Sequence, residues 1–357
     1  MTAGPRKWHA WSVWKTKVLL GAYLPAFTTA CEGAPHRTFI DCFAGEADAV
    51  DMAGEPFEGS ARIALKTDPP LTHAVFFELE EKAAALEVAL RSEFPDRDIH
   101  VIGGDCNQRI TQGLEWLRGQ GTARSGPQLG PVFALLDPDS MELEWSTIET
   151  IAKWTGQTAP NDFSRQGRLV ELLALFPTGG FRRSMPITAG TTEVSESTKA
   201  EVDRLFGNRE WRSIYSAQRS GAIRGEDSWL WYVHLYRRGL LNLGYRYTSA
   251  IEVRNTSGVI QYHLVFATGN NTGRKVMKDV QGRARKILPA MVEDEKRVRR
   301  SGGPRLFEEE DADLDRYAED PDRWASFTDD DPLVFDPNGH PRPPEPQRLF
   351  HMPDDAV

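Results

Sequence analysis

The chain predicts an α/β fold: a doubly wound, mainly parallel seven-stranded sheet with a helical insertion and an acidic disordered tail. Three observations predict it. Short apolar runs recur between stretches of helical period. Four of these runs lead into an acid, at Asp41, Glu78, Asp105 and Asp137. Late in the chain two β-rich runs, 245–253 and 259–268, are joined by Arg254-Asn-Thr-Ser-Gly258 and read as an antiparallel hairpin closing the sheet.

In chain order, an amphipathic helix is expected from Trp11, with Trp14, Val18, Ala22 and Phe27 near one face, Lys15 and Lys17 elsewhere, and Pro25 in its last part. The first strand is expected at 38–43. A long acidic loop follows, and then a helix with Ser60 as its N-cap. Strands are expected at 74–77, 99–102, 132–136 and 169–176. Helices between them carry Leu79, Ala83, Leu86 and Leu90, then Ile110, Leu114 and Leu117, then Trp145, Ile148 and Ala152. Right-handed crossovers place the acidic strand ends on one edge. Residues 178–242 break this rhythm. They are rich in arginine and aromatic residues, end in a helix near 227–241, and read as a helical insertion. A basic helix begins near Asn270. Beyond 290 the acidic runs and prolines predict disorder, so the expected division is 1–289 as one α/β domain and 290–357 as a tail.

Composition excludes several classes. At 357 residues, 40% hydrophobic and 27% charged, the chain buries a substantial core. No apolar run reaches the roughly 18 residues of a membrane span. Cys31, Cys42 and Cys106 form neither a CxxC nor a zinc pattern and read as reduced thiols of a cytoplasmic protein, with Cys42 and Cys106 meeting as inert thiols at the sheet edge. The net charge of −9 is segregated: −8 over 1–180, +9 over 181–289 and −10 over 290–357. The basic 181–289 region fits an anion-binding surface, with nucleic acid the expected partner.

The acidic strand ends match the chemistry of adenosine recognition. Small residues after Asp41 let backbone approach a ligand closely. An acid ending the second strand accepts from both ribose hydroxyls, and one after the third accepts from the adenine amine. Asp137 and Asp139 lack a third acid at fixed spacing, which argues against a metal site.

At these residues the chain resembles class I S-adenosylmethionine-dependent methyltransferases and, more narrowly, the three-Cys-motif partner family. The resemblance runs through Tyr23-Leu24, Phe43-Ala44-Gly45, Gly59-Ser60, Phe76-Phe77-Glu78, Gly104-Asp105, Leu136-Asp137-Pro138, Trp145–Ile148, Leu172–Pro177 and Tyr262–Thr268, over roughly 11–285. It implies a methyltransferase-like fold, S-adenosylmethionine as cofactor, and a partner that carries a CxxxCxxC motif and resembles radical-SAM proteins. It also implies that Asp41, Phe43, Ala44 and Gly45 line the cofactor, Glu78 holds the ribose, Asp105 holds the adenine, and Asp137 and Pro138 face the methyl group.

Three departures stand out. Family members usually continue Phe-Ala-Gly-Pro-Gly, whereas this chain has Gly45-Glu46-Ala47, and Gly-Ser-Pro has become Gly59-Ser60-Ala61. Asp137-Pro-Asp-Ser140 is also not the Asp/Asn-Pro-Pro-Tyr with which amino-methylating DNA enzymes grip a flipped base. The sequence therefore supports two readings: a methyltransferase acting on a nucleic-acid-related substrate, or an inactive methyltransferase-fold scaffold for the partner.

Overall fold

The computed structural model describes residues 7–120, 130–154, 169–185, 194–220 and 229–301, with three two-residue strands beyond them. The main sheet is mixed. Its strands are β2 (Thr38–Asp41), β5 (His73–Glu78), β6 (Ile99–Gly103), β7 (Val132–Leu136), β8 (Glu171–Phe176), β9 (Tyr247–Arg254) and β10 (Ile260–Thr268), with β11 (Ser326–Phe327) at one edge. They lie in the order β11-β9-β10-β8-β7-β2-β5-β6. The run β6-β5-β2-β7-β8 is parallel, β10 pairs antiparallel with β8, and β9 pairs antiparallel with β10. β2, β7 and β8 are buried at every position, as parallel strands covered on both faces must be. From β2 the chain steps outward to β5 and β6. It then crosses back to β7 on the other side, which leaves a crevice between β2 and β7 at their carboxyl ends.

Successive strand residues point to opposite cores. On one face Ile40, Phe77 and Ala134 pack with α5 (Cys106–Gln120), α6 (Trp145–Trp154) and α7 (Thr178–Ser184). The same core takes in α8 (Glu196–Phe206), α9 (Trp211–Arg219) and α10 (Trp229–Asn242). On the other face Phe39, Phe76 and Phe133 pack with α2 (Gly21–Ala30), α3 (Ser60–Lys66), α4 (Glu80–Glu93) and α11 (Asn271–Ser301). The expected insertion is thus helices α7–α10. Trp229, Trp231 and Tyr232 are core residues there, with Trp229 and Tyr232 against Phe181 and Tyr232 also against Phe206.

Several sequence expectations are revised. The first helix is α1 (Ala10–Val13), a π-helical turn at Trp14–Leu20, and α2. The wider π turn breaks the 3.6-residue period, so its buried face is Val13, Trp14, Leu19, Leu20, Tyr23 and Leu24, and Lys15 is buried with them. The acidic loop holds two short strands, β3 (Asp48–Asp51) and β4 (Pro56–Glu58), which with β1 (Lys7–Trp8) form a small separate sheet. Gly59, not Ser60, occupies the N-cap of α3. The expected boundary at 289/290 is crossed by α11, in which Ala290, Met291 and Val292 are buried. Glu295, two turns beyond Pro289, binds back to the first helix, with Oε2 accepting from the Ala10 amide at 2.6 Å and Oε1 2.8 Å from His9 Nδ1. Dense charge and Pro289 hid that helix from the periodicity. Beyond 301 the expected tail lies outside the described residues except for β11, β12 (Val334–Phe335) and β13 (Pro341–Arg342). Among the described residues no helix is long and apolar enough to cross a membrane.

Candidate functional site

A cavity of about 610 Å³ opens at the carboxyl ends of β2, β5 and β7, within the size range of small-molecule sites. Its wall brings together Phe43, Ala44, Gly45, Glu78, Asp105 and Asp137, six of the eight residues singled out from sequence. Asp41 lies beneath the wall, fully buried, and Pro138 is buried and does not line the cavity.

The turn after β2 is held by backbone. The Cys42 amide donates to Leu135 O of β7, and the Ala44 amide to Phe77 O of β5, both at 2.9 Å. Gly45 then takes φ +65°, a conformation that costs an L-residue about 1–2 kcal/mol. That turn aims the Gly45 amide at Glu78 Oε2, 2.6 Å away, while the Leu79 amide donates to Oε1 at 2.9 Å. Glu78 is therefore fixed by one donor on each oxygen and retains lone pairs facing the cavity. The loop 46–47 departs from the expected glycine without obstructing it. Glu46 is exposed and leans toward Lys82 Nζ at 3.8 Å, and Ala47 O accepts from the Gly59 amide at 2.9 Å. Gly59 is required by proximity: a Cβ there would lie 2.3 Å from Glu46 O.

Asp41 Oδ1 accepts from the Phe43 amide at 3.2 Å, and Oδ2 is buried without a hydrogen-bond partner. Burial raises this carboxyl to about 7. The neighbouring Ser60 hydroxyl and the Phe43 amide oppose the rise, and Asp137 and Glu78 add to it. Asp105 caps α5, its Oδ1 accepting from the Asn107 amide at 2.9 Å and from Asn107 Nδ2 at 3.0 Å. Cys42 and Cys106 do meet on the cavity wall as hydrogen-bonded thiols, and that contact with burial pushes Cys42 up.

Two residues passed over in the sequence shape the site. Lys15 Nζ reaches across from the π turn to Asp137, 2.5 Å from Oδ1, and sits 5.5 Å from the Tyr262 ring centre. No 3.6-residue wheel places it there. Asn107 staples the 137–144 loop to α5: Nδ2 donates to Glu142 O at 2.8 Å, and Oδ1 accepts from the Glu144 amide at 3.0 Å and the Thr147 hydroxyl at 2.8 Å. Its place directly after Asp105-Cys106 was the available signal.

Among the described residues none of the basic side chains of 181–289 lines the cavity, although Arg204 pairs with the lining residue Glu144 at 3.2 Å. β10 runs antiparallel to β8, with Ala267 beside Leu172, so Thr268 and the start of α11 lie at the opposite edge of the sheet. Arg274, Lys275 and Lys278 are on that first part of α11.

No family model matches the chain, and no curated protein matches it. Among solved structures, a Legionella pneumophila protein of the DUF519 family is similar at 8% identity with a TM-score of 0.41. The match covers 74% of this chain and 89% of that one, a likeness too slight to carry an argument about fold or function.

Proposed function

We propose that the cavity binds S-adenosylmethionine and that the protein is a methyltransferase of the class I type, its sheet doubly wound about the β2–β7 crevice. One observation carries the reading: Gly45 and Glu78 are locked together at the end of adjacent parallel strands on the wall of a nucleoside-sized cavity. The donor set fits the cofactor. Glu78 offers two fixed oxygens to ribose hydroxyls, and Asp105, on the β6 side, offers an acceptor to the adenine amine. The space above Gly45 is open, with nothing within 4 Å of a Cβ placed there. When bound, the cofactor supplies an electrophilic methyl group on a sulfonium. The chain's own part is to orient the ligand through Glu78 and Asp105 and to shield it with Phe43, Phe77 and the π turn. Asp137, carrying Lys15, borders the space where an acceptor lies.

A second reading, an inactive scaffold for a three-Cys-motif protein, is favoured by the Lys15–Asp137 pair, which neutralises the carboxylate assigned to the methyl end. Calorimetry with S-adenosylmethionine and S-adenosylhomocysteine separates the two. Binding that weakens about tenfold or more in Glu78→Gln supports the first. Silence from both ligands at millimolar concentration leaves the scaffold.

A further inference from the structure

We propose that Asn107 is a positioning residue that sets the cavity's preference for an adenine amine, by fixing the Asp105 carboxylate from the 137–144 loop. This rests on the methyltransferase reading and names the residue behind its purine selectivity. Asp105 lines the cavity at the start of α5 and is exposed. Its Oδ1 is held twice by Asn107, from the backbone amide at 2.9 Å and from Nδ2 at 3.0 Å. The first contact is an ordinary local cap. The second ties the carboxylate to a distant part of the wall, because the same Nδ2 also donates to Glu142 O at 2.8 Å. On the other side Asn107 Oδ1 accepts from the Glu144 amide at 3.0 Å and the Thr147 hydroxyl at 2.8 Å.

Both hydrogens of Nδ2 and both lone pairs of Oδ1 are therefore in use. These partners also settle which way the group faces, since a flipped carboxamide would set Oδ1 against Asp105 and Glu142 O. The loop is the stiff end of the link. Met141 and Leu143 are buried in the core, and Thr147 is buried on α6. Asp105 is the exposed end, and it is the one being positioned. Orientation matters because an adenine amine donates a hydrogen bond, whereas the carbonyl that replaces it in hypoxanthine only accepts. A fixed carboxylate binds the first and repels the second. A carboxylate free to turn away discriminates less.

Calorimetric titration of the whole chain with S-adenosylhomocysteine and with its hypoxanthine analogue, S-inosylhomocysteine, tests this in wild type, Asn107→Ala and Thr147→Val. Thr147 does not line the cavity, and valine keeps the shape of its side chain. Wild type is expected to prefer the adenine compound by about tenfold, falling to about fivefold in Thr147→Val and about twofold in Asn107→Ala. The change should come from weaker binding of S-adenosylhomocysteine, with S-inosylhomocysteine bound no more weakly than before. The double variant should match Asn107→Ala, because the Thr147 contact acts through Asn107. Equal loss of both ligands in the variants overturns the proposal and leaves Asn107 a folding residue. An unchanged preference, or losses that add in the double variant, also overturns it, and S-adenosylhomocysteine binding to wild type then leaves the cofactor reading standing. Silence of both ligands in wild type removes the cofactor reading and this role with it.

Discussion

Lys15 and Asp137, 122 positions apart, form an ion pair that ties the first helix to the end of β7. Lys15 is 8% exposed, and its side chain and that of Asp137 are 10% and 18% exposed. Breaking one side of such a pair leaves a largely desolvated charge. Lys15→Met is therefore expected to cost about 2 kcal/mol, read as a lower midpoint in urea, with Asp137→Asn in the same background restoring part of the loss. A midpoint equal to wild type in Lys15→Met would show that water already screens the pair.

Asp41 predicts an unusual pH dependence. Its folded-state pKa of about 7 lies above the ordinary aspartate value of 3.8, so between those values the folded chain holds a proton that the unfolded chain has released. Its contribution is complete below about pH 4 and is lost as pH rises to about 7. The total is at most about 4 kcal/mol for a shift of this size. Asp41→Asn should flatten the decline in melting temperature over this range and be more stable than wild type at pH 8. Parallel melting curves for the two proteins from pH 5 to 8 would refute the assignment.

Gly45→Ala isolates a backbone effect. Nothing lies within 4 Å of the added methyl, so its cost is that of φ +65° alone, about 1–2 kcal/mol. Gly45→Asn should lose less, because Asn tolerates the left-handed region. Equal stability of all three proteins in denaturant would mean that the turn relaxes freely.

The extent of α11 is testable by truncation. A chain ending at 289 loses buried Met291 and Val292 and the Glu295 bonds to Ala10 and His9. Compared with a chain ending at 301, it should be less stable by about 3 kcal/mol or more, the worth of two buried apolar side chains. Identical melting of the two would place 290–301 outside the fold.

Strand positions were legible because buried parallel strands are short, continuous apolar runs, as in Val132–Leu136, each followed by a polar turn. The cavity wall was legible for the same reason: topology alone carries Asp41, Glu78, Asp105 and Asp137 to one edge. What sequence did not show was contact across the chain. The π turn defeats the helical wheel and puts Lys15 inside. Pro138 is conspicuous in the sequence yet packs behind the wall. The reach of α11 was hidden because Asp294 and Glu295 read as a solvated run, whereas both are buried and Glu295 accepts from the distant Ala10 amide.

The clasp between Glu295 and residues His9 and Ala10 also sets an order of events during synthesis. Trp8, Ser12, Lys15 and Thr16 line the cavity, the last three on the helical segment that packs on α11. The segment around His9 and Ala10 therefore waits for Glu295, and the five parallel strands can pair before it docks. The clasp that fixes this wall forms only once translation has passed residue 295, and a shorter nascent chain lacks it.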